Sequence, residues 1–318
     1  MLACIGDLHI DKFNQKHPQL ENGIVECLKQ TGLKILETGV DVCALMGDIF
    51  HTPNPSQTSI VKLLDCLTYL VSEGMTFYII LGNHDTANSD ENSLKLIKWF
   101  GEREKIHVIT EPSLVKTETT NVWMCPHPHV EKSPYKVDWC LGHFPVSGAK
   151  SDNGFAIKSK NQPKGKWILG DFHSPQSGRV NSCVYAYCGS LTQLSWQEEH
   201  SKKRIILLNG SEKKSLKTWQ PYELKEITVE LNTDLPDCSE KNTYYRVVLK
   251  SGVSLPVGYL QKYPQILTVA YSKGHTNKIS QVLLKNTQTN PFDYLSSYLT
   301  KHHAKVADRA YELASSLK

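Results

Sequence analysis

The chain has 318 residues, of which 40% are hydrophobic and 21% charged, values that suit a globular protein with one large domain and small appendages. Its formal net charge of +4 is too small to indicate a nucleic-acid partner by itself. The amino terminus lacks a basic stretch followed by an apolar run, and no segment reaches the roughly 18 apolar residues of a membrane span. We therefore expect an intracellular, cytoplasmic protein, whose nine cysteines form no C-x-x-C pair and stay reduced.

Short apolar runs alternate with amphipathic helical patterns over the first two thirds of the chain, which predicts an α/β fold. The predicted elements are a strand at 2–6, a helix at 20–36, a strand at 42–47, a helix at 60–71 and strands at 77–81, 137–141, 166–169 and 204–208. The polar stretch 209–221 is interpreted as a linker. After it, strand-like alternation appears at 226–231, 244–249 and 266–271, and a polar break at 272–278 precedes a helical tail.

Polar side chains follow five of the predicted strands, each time directly after a glycine. The five motifs are Asp7-Leu8-His9, Asp48, Asn83-His84-Asp85, His143 and Asp171-Phe172-His173. Open α/β sheets place their ligand crevice at the carboxyl ends of their strands, so these side chains are expected to meet there. One such motif alone is commonly a turn or a helix cap, but five in order favour a site. We attribute the glycines to sharp turns beside that site.

The ordered motifs resemble those of the calcineurin-like metallophosphoesterase superfamily. The resemblance implies a β-sandwich flanked by helices, with a small α+β cap domain and a helical tail. It also implies two divalent metal ions, one held by Asp7, His9 and His173, the other by Asn83, His143 and Asp171, with Asp48 bridging both. Mixed oxygen and imidazole ligands suit Mn²⁺, Fe²⁺ or Zn²⁺ better than Mg²⁺, and Mn²⁺ is the expected ion.

The same resemblance makes His84 a catalytic residue that contacts the phosphate and helps to protonate the leaving oxygen, with Asp85 orienting it. Asp171 departs from the family pattern, which has histidine at this position. Either Asp171 still binds the second metal, which we favour, or that metal site is weak. Four other histidines, His17, His51, His127 and His129, match no ligand motif and are interpreted as structural or surface residues.

Three further segments resemble the SbcD-type nuclease subunits, bacterial and phage relatives of the meiotic recombination eleven nuclease. They are the stretch after Asp48 with Pro55-Ser56, residues 187–196 followed by Glu198 or Glu199 and Lys203, and residues 290–299. The resemblance implies a metallophosphoesterase domain at 1–210, a cap that positions DNA at 221–272 and a partner-binding tail at 286–318. It further implies a homodimer and an SbcC-like ATPase partner, contacted through Phe292, Leu295 and Leu299.

A basic loop lies between His143 and Asp171 and contains Lys150, Lys158, Lys160, Lys164 and Lys166. Because both ends of the loop carry predicted ligands, we expect it to run close to the metal crevice, where its lysines would contact the phosphate backbone of DNA. The leading hypothesis is thus a Mn²⁺-dependent DNA nuclease, a 3′-to-5′ exonuclease with endonuclease capacity. The alternatives are a phosphomonoesterase or cyclic nucleotide phosphodiesterase of the same fold, and a catalytically weak architectural subunit.

Overall fold

The computed structural model describes residues 1–13, 17–86, 92–101, 105–161 and 163–272. The chain divides into two compact units. The larger comprises Met1–Ile227, Pro236–Val247 and Pro256–Val269, and the smaller comprises Thr228–Leu235, Val248–Leu255 and, within the described residues, 270–272. None of the helices in these ranges is long and apolar enough to cross a membrane.

The described residues form fifteen strands and four α-helices. The strands are β1 (Leu2–Ile5), β2 (Val42–Leu45), β3 (Thr76–Ile80), β4 (Ile106–Ile109), β5 (Ser113–Lys116), β6 (Asn121–Cys125), β7 (Trp139–His143), β8 (Gly165–Gly170), β9 (Gln176–Val180), β10 (Cys183–Tyr187), β11 (Arg204–Asn209), β12 (Glu212–Lys217), β13 (Glu223–Val229), β14 (Thr243–Leu249) and β15 (Ile266–Tyr271). The helices are α1 (Pro18–Glu37), α2 (Gln57–Ser72), α3 (Lys95–Gly101) and α4 (Tyr259–Lys262).

Two six-stranded sheets form the larger part of the fold. The first has the order β12-β11-β1-β2-β3-β4, and the second has the order β5-β6-β7-β8-β10-β9. In the first sheet β1 to β4 are parallel, and β11 and β12 join antiparallel at one side. In the second sheet β6, β7, β8 and β10 are parallel, with β5 and β9 antiparallel at its two edges. The parallel strands read as continuous apolar runs because both of their faces are buried.

Three apolar layers hold the sheets and helices together. Leu2, Met46 and Ile80 of the first sheet pack against Met124 and Ile168 of the second, so the sheets lie face to face. The opposite face of the first sheet packs against α1, α2 and α3. The opposite face of the second sheet is covered by loop residues that include Phe144, Val146 and Phe172. The fold is therefore the predicted α/β β-sandwich, and α1, α2 and α3 cover one of its two sheets.

Local sequence signals begin the two long helices. Pro18 occupies the first turn of α1, where its missing N–H would have no helical partner. Ser56 caps α2 by accepting a hydrogen bond from the backbone N–H of Ser59 at 3.1 Å. These two helices present leucine, isoleucine and cysteine side chains to the first sheet, which agrees with the predicted helices at 20–36 and 60–71.

The interpretation of residues 209–221 as a linker is wrong. Asn209 ends β11 and pairs with Glu212 at the start of β12, so a two-residue turn joins the strands into an antiparallel hairpin. Gly210 in this turn has φ of 52°, in the left-handed region that hairpin turns require. β12 is an edge strand with largely exposed side chains, and its polar composition concealed the backbone pairing with β11.

The strands β13, β14 and β15 form a separate three-stranded sheet in the range that the sequence assigns to a cap. The boundaries 1–210, 221–272 and 286–318 stay predictions, and the tail with Phe292, Leu295 and Leu299 lies outside the described residues. All nine cysteines are buried and free, which confirms the prediction of reduced structural thiols. Burial raises the pKa of the Cys43 and Cys188 thiols.

Candidate metal centre

The carboxyl ends of parallel strands from both sheets bring the predicted ligands to one place. Asp7 follows β1 and Asp48 follows β2 in the first sheet, whereas His143 ends β7 in the second sheet. Asp7, His9 and Asp48 have ligand atoms within 4.8 Å of one another, as expected of a metal site. The two sheets meet face to face, so the ends of their strands supply side chains to a single cluster.

Asp48 stands between two groups of predicted metal ligands. Its Oδ2 lies 3.3 Å from Nε2 of His9, and its Oδ1 lies 3.3 Å from Nε2 of His143. On the first side, Nε2 of His173 is 3.2 Å from Nε2 of His9. On the second side, Oδ1 of Asn83 is 2.9 Å from Nε2 of His143. The two oxygens of one carboxylate therefore face two separate groups of donor atoms.

Outer hydrogen bonds set the tautomers of two of these histidines. Nδ1 of His143 donates to the Met46 carbonyl at 2.7 Å, and Nδ1 of His173 faces the Glu198 carboxylate at 3.2 Å. Because a carbonyl or carboxylate only accepts, each Nδ1 carries a hydrogen and Nε2 is the nitrogen that each ring turns toward the cluster, where it offers a lone pair whenever the ring is neutral. Metal-binding histidines are oriented in this way by a carbonyl or carboxylate on the other nitrogen.

The donor atoms of the cluster fit a cation better than they fit one another. Nε2 of a neutral His143 ring faces two acceptor oxygens, those of Asn83 and Asp48, and without a cation only protonation of the ring supplies a hydrogen between them, in keeping with its raised pKa. Oδ1 of Asp7 accepts the Asp171 backbone N–H at 2.9 Å, but Oδ2 of Asp7 is buried without any hydrogen-bond partner. A buried acceptor left unpaired costs about 1–3 kcal/mol, which a bound cation would recover. The residues present thus fit divalent metal ions.

The charged groups around Asp48 are strongly perturbed. Burial raises the pKa of Asp7 to about 6 and lowers the pKa of His9 to about 3. Burial would also raise the pKa of Asp48, but the facing His143 and His9 imidazoles outweigh it and hold that pKa well below its usual range. Burial lowers the pKa of His143, and the Asp48 carboxylate more than offsets this and raises it well above its ordinary value. Such perturbation is typical of functional sites.

Backbone geometry at the cluster is unusual for side chains other than glycine. Of the five positive φ values at non-glycine residues in the described part of the chain, three belong to predicted ligands: 47° at His9, 49° at Asp48 and 98° at Asp171. Strained conformations of this kind persist where the surrounding structure demands them, and they concentrate at functional sites. The fold therefore holds these three predicted ligands in place although their backbone conformations are unfavourable.

Asp171 lies at the edge of this cluster. Its backbone N–H is tied to Asp7, and its carboxyl is close enough to His143, Asp48 and His173 to interact with their charges. Burial raises the pKa of Asp171, and the His143 imidazole opposes this rise. The position is compatible with a metal ligand.

His84 and His51 stand together on the His9 side of the cluster. Nδ1 of His84 donates to the His51 carbonyl at 2.8 Å, and the two rings stack with centroids 5.0 Å apart. Nδ1 of His51 lies 3.2 Å from Nδ1 of His9, so His51 belongs to the site. Sequence reasoning missed His51 because it precedes α2 by several residues and follows no strand directly; its spacing of three residues from Asp48 was the available signal.

Asp85 is buried beneath the same segment. Its carboxyl accepts hydrogen bonds from the backbone N–H groups of Gly82, Ile49 and Phe50 at 2.9, 3.3 and 3.1 Å, and from the Ser93 hydroxyl at 3.2 Å. Burial raises the pKa of Asp85 to about 7. These bonds tie the chain after β2 to the chain after β3, while the ring of His84 is held by His51.

Behind His173 lies a buried charged network that sequence reasoning did not identify as part of the site. Besides facing His173, Glu198 accepts from the Ser190 hydroxyl at 3.0 Å and pairs with Nζ of Lys203 at 2.5 Å. Lys203 also donates to the His173 carbonyl at 2.9 Å. Asp152 adds a second carboxylate, 3.3 Å from Nδ1 of His173. Glu198 and Lys203 belong to the segment that resembles SbcD-type subunits, which was the available signal.

The structure separates the five lysines of the basic loop, all of which are exposed. Lys150 lies near the centre, since its backbone bonds to Gln176 and neighbouring Asp152 contacts His173. Lys164 and Lys166 lie at the start of β8, whose other end carries Gly170 and Asp171. The expectation that the whole loop runs beside the crevice is therefore wrong for Lys164 and Lys166, because β8 itself carries the chain across the sheet between them and the ligands.

A model of the calcineurin-like phosphoesterase family matches residues 1–206, which is more than half of the chain. The chain belongs to this family. It is similar to the DNA double-strand break repair protein Mre11 of Haloferax volcanii, with 22% identity over 208 residues that cover 61% of this chain and 46% of that protein. The Mre11 protein of Halobacterium salinarum is 22% identical over 218 residues, covering 65% of this chain and 56% of that protein.

The chain thus spans about half the length of the curated relatives it matches. Among solved structures, a dimetal phosphatase from Danio rerio overlaps with a TM-score of 0.44 at 11% identity, covering 70% of this chain and 96% of that chain. An overlap this low carries no argument about function.

Proposed function

We propose that this protein is a metal-dependent DNA nuclease subunit that hydrolyses phosphodiester bonds at the cluster around Asp48. The observation that carries the proposal is the division of ligands by the Asp48 carboxylate, with His9 facing Oδ2 and His143 facing Oδ1. A carboxylate placed in this way suits two cations rather than one, because each oxygen has its own set of neighbouring donors.

In the proposed site, two sets of residues that share Asp48 would hold two divalent metal ions, most simply Mn²⁺. The first set is Asp7, His9 and His173, and the second set is Asn83, His143 and Asp171. When bound, such ions supply an activated water at neutral pH and neutralise charge on the phosphate. Glu198 and the Met46 carbonyl keep Nε2 of His173 and of His143 turned toward the ions.

His84 is the proposed group that acts on the substrate. Its Nδ1 donates to the His51 carbonyl, so Nε2 is the nitrogen that faces the substrate, and the doubly protonated ring gives its Nε2 proton to the leaving oxygen and becomes neutral. Its backbone N–H donates to Oδ1 of Asp48 at 2.9 Å, which places the residue beside the bridging carboxylate. Asp85 would act indirectly by holding the backbone before His84 in place.

DNA is the proposed substrate because two relatives carry the name of a DNA double-strand break repair protein, at 22% identity. The segment that resembles SbcD-type subunits contributes Glu198 and Lys203 to the wall behind His173, which supports the same choice.

An SbcC-like ATPase that binds residues 286–318, and a homodimer, complete the proposal. Removal of residues 290–318 should then abolish co-purification with the ATPase while cleavage of short single-stranded DNA continues.

The test is cleavage of end-labelled single-stranded and double-stranded DNA in Mn²⁺, Mg²⁺ or EDTA, with Asp48→Ala beside the wild type. We expect the wild type to cleave DNA in the presence of Mn²⁺ and the variant to cleave it with neither metal. Labels at the 5′ and 3′ ends report the polarity of cleavage and any internal cuts.

Hydrolysis of p-nitrophenyl phosphate and of bis(p-nitrophenyl) phosphate separates the alternatives. Monoester cleavage without DNA cleavage would identify a phosphomonoesterase, and DNA binding without any hydrolysis would identify an architectural subunit.

A further inference from the structure

A second cationic feature lies beside the metal centre and is distinct from the basic loop. It is a cleft of about 640 Å³ between the start of β11, the end of β12 and the segment that precedes β9. Its walls include Ser174, Ser201, Lys202, Arg204 and Lys217, and we call it the edge cleft. Its volume lies within the roughly 300–1,000 Å³ of typical ligand sites.

The charged residues that line the edge cleft are all basic, since no aspartate or glutamate is among them. Lys203 is neutralised by Glu198 and does not contribute. The Arg204 guanidinium bonds only to neutral groups, among them the carbonyls of Gln176 and Tyr187 at 3.2 and 3.1 Å, so its charge stays uncompensated. The side chains of Lys202 and Lys217 are exposed and form no hydrogen bond or ion pair with the described residues.

Two of these cations are held next to each other by the sheet. Arg204 and Lys217 are directly opposite in the antiparallel ladder of β11 and β12. Like charges in this arrangement repel and destabilise the pair of strands. An anion in the cleft would remove this repulsion, whereas no side chain on the cleft wall does so.

The cleft wall also contains polar donors without acceptors. Nε of Arg204 and Oγ of Ser201 are both buried and lack any hydrogen-bond partner. Unpaired N–H and O–H dipoles leave their positive ends unbalanced, and so add to the potential that attracts an anion. A cleft built for water or for an apolar ligand would not need this combination of charge and unsatisfied donors.

The position of the cleft connects it to the metal centre. Ser174 on its wall follows the predicted ligand His173 directly in the chain. Lys203, which also lines the cleft, donates to the His173 carbonyl at 2.9 Å. The edge cleft and the predicted ligand His173 are therefore neighbours in the structure.

We propose that the edge cleft binds the phosphodiester backbone of the nucleic-acid strand whose scissile bond lies at the metal centre. This inference rests on the proposed nuclease function and adds to it the path of the strand. Lys202, Arg204 and Lys217 contact phosphates and read no bases, so binding is independent of sequence and weakens with salt.

The experiment measures binding of a fluorescein-labelled oligo(dT) to the full chain in EDTA, by anisotropy at several salt concentrations. The test variant is Lys202→Glu with Lys217→Glu. The matched control is Lys34→Glu with Lys214→Glu, which makes the same change in net charge at exposed lysines, one of them on β12 itself. Thermal unfolding of each protein verifies that it is folded.

We expect the test variant to lose roughly tenfold or more in affinity. The slope of log affinity against log salt concentration should become shallower by about 1.4, because each of the two lost phosphate contacts contributes about 0.7 on a single strand. The control should behave as the wild type. Equal losses of affinity in the test and control variants would overturn the proposed role of the edge cleft. So would an unchanged affinity in the test variant while the wild type binds and cuts DNA. Neither result would contradict the nuclease function. A wild type that hydrolyses bis(p-nitrophenyl) phosphate but does not bind DNA would overturn both.

Discussion

At the residue scale, the proposed catalytic side chain of His84 makes different contacts from its backbone. Its side chain bonds to the His51 carbonyl, whereas only its backbone N–H contacts Asp48. A substitution of the ring therefore leaves the contact with the bridging carboxylate in place. The His84 ring also packs edge-on against the His9 ring, with centroids 4.9 Å apart, so metal binding must be measured together with the rate.

His84→Asn should lower the rate of DNA cleavage by about 10²–10⁴-fold, the usual contribution of a positioned proton donor. Metal binding, measured by titration calorimetry with Mn²⁺, should be unchanged because the backbone N–H still donates to Asp48. His107→Asn, an exposed histidine on β4, is the control and should keep full activity. Loss of bound metal in His84→Asn would instead assign the ring to the ligand set.

Asp171 is the residue at which this sequence departs from its family pattern, and three substitutions test it. Asp171→Ala should weaken the second Mn²⁺ and lower activity together, with partial recovery at high Mn²⁺, because the backbone bond to Asp7 does not depend on the side chain. Asp171→His should retain or raise activity. Asp171→Asn, which keeps size at a φ of 98°, separates loss of charge from backbone strain. Wild-type metal affinity in the alanine variant would exclude ligation.

At the scale of the elements, the glycines at the strand ends serve mainly close approach. Gly47 has φ of 88° and makes the sharp turn that the sequence suggested. Gly82, by contrast, has an ordinary φ, and a Cβ built there would lie 2.2 Å from both N and Oδ1 of Asp48. The interpretation that every motif glycine marks a turn is thus wrong for Gly82, which lets the end of β3 pack against the bridging ligand.

Gly82→Ala should displace Asp48 and weaken metal binding strongly, while the sandwich stays folded at a cost of about 1–3 kcal/mol for overpacking. Mn²⁺ titration and urea unfolding measure the two effects. Gly74→Ala is the control, because a Cβ there meets nothing within 4 Å although its φ is 107°. It should lose some stability to backbone strain and keep its metals. Normal metal affinity in Gly82→Ala would contradict the importance of this contact.

At the scale of the whole molecule, the metal centre links the two sheets. Asp7 and Asp48 follow strands of the first sheet, and His143 and His173 come from the second, so bound cations would connect both halves of the sandwich. Without them the fold must hold the buried Asp7 carboxyl with one unpaired oxygen. Metal ions that bind only the folded state stabilise it by mass action.

Mn²⁺ at about 100 times its dissociation constant should therefore stabilise the protein by about 2.7 kcal/mol per site. For a domain of this size, one site corresponds to a rise in Tm of roughly 5–10 °C, measured by calorimetry against an EDTA sample. Asp48→Ala should show little or no rise. An equal rise in wild type and variant would place the stabilising ions elsewhere on the protein.

The sequence alone determined the α/β sandwich and the clustering of the predicted ligands at its strand ends. Strand ends are readable because an apolar run that stops at Asp7, Asp48 or His143 marks both the element and the edge at which it ends. Parallel pairing then brings these edges together, whatever the loops between them do. The cysteines were predictable for a related reason, since apolar surroundings keep a thiol buried and inert.

Tertiary structure alone decided the rest. β12 and β9 are polar edge strands that pair through backbone hydrogen bonds. A hydropathy pattern does not report such bonds. Glu198 and His51 reach the cluster from segments that are distant in sequence or follow no strand, so only their distances to His173 and His9 assign them to the site. The edge cleft likewise exists because the ladder sets Arg204 opposite Lys217, and proximity of this kind is a property of the fold.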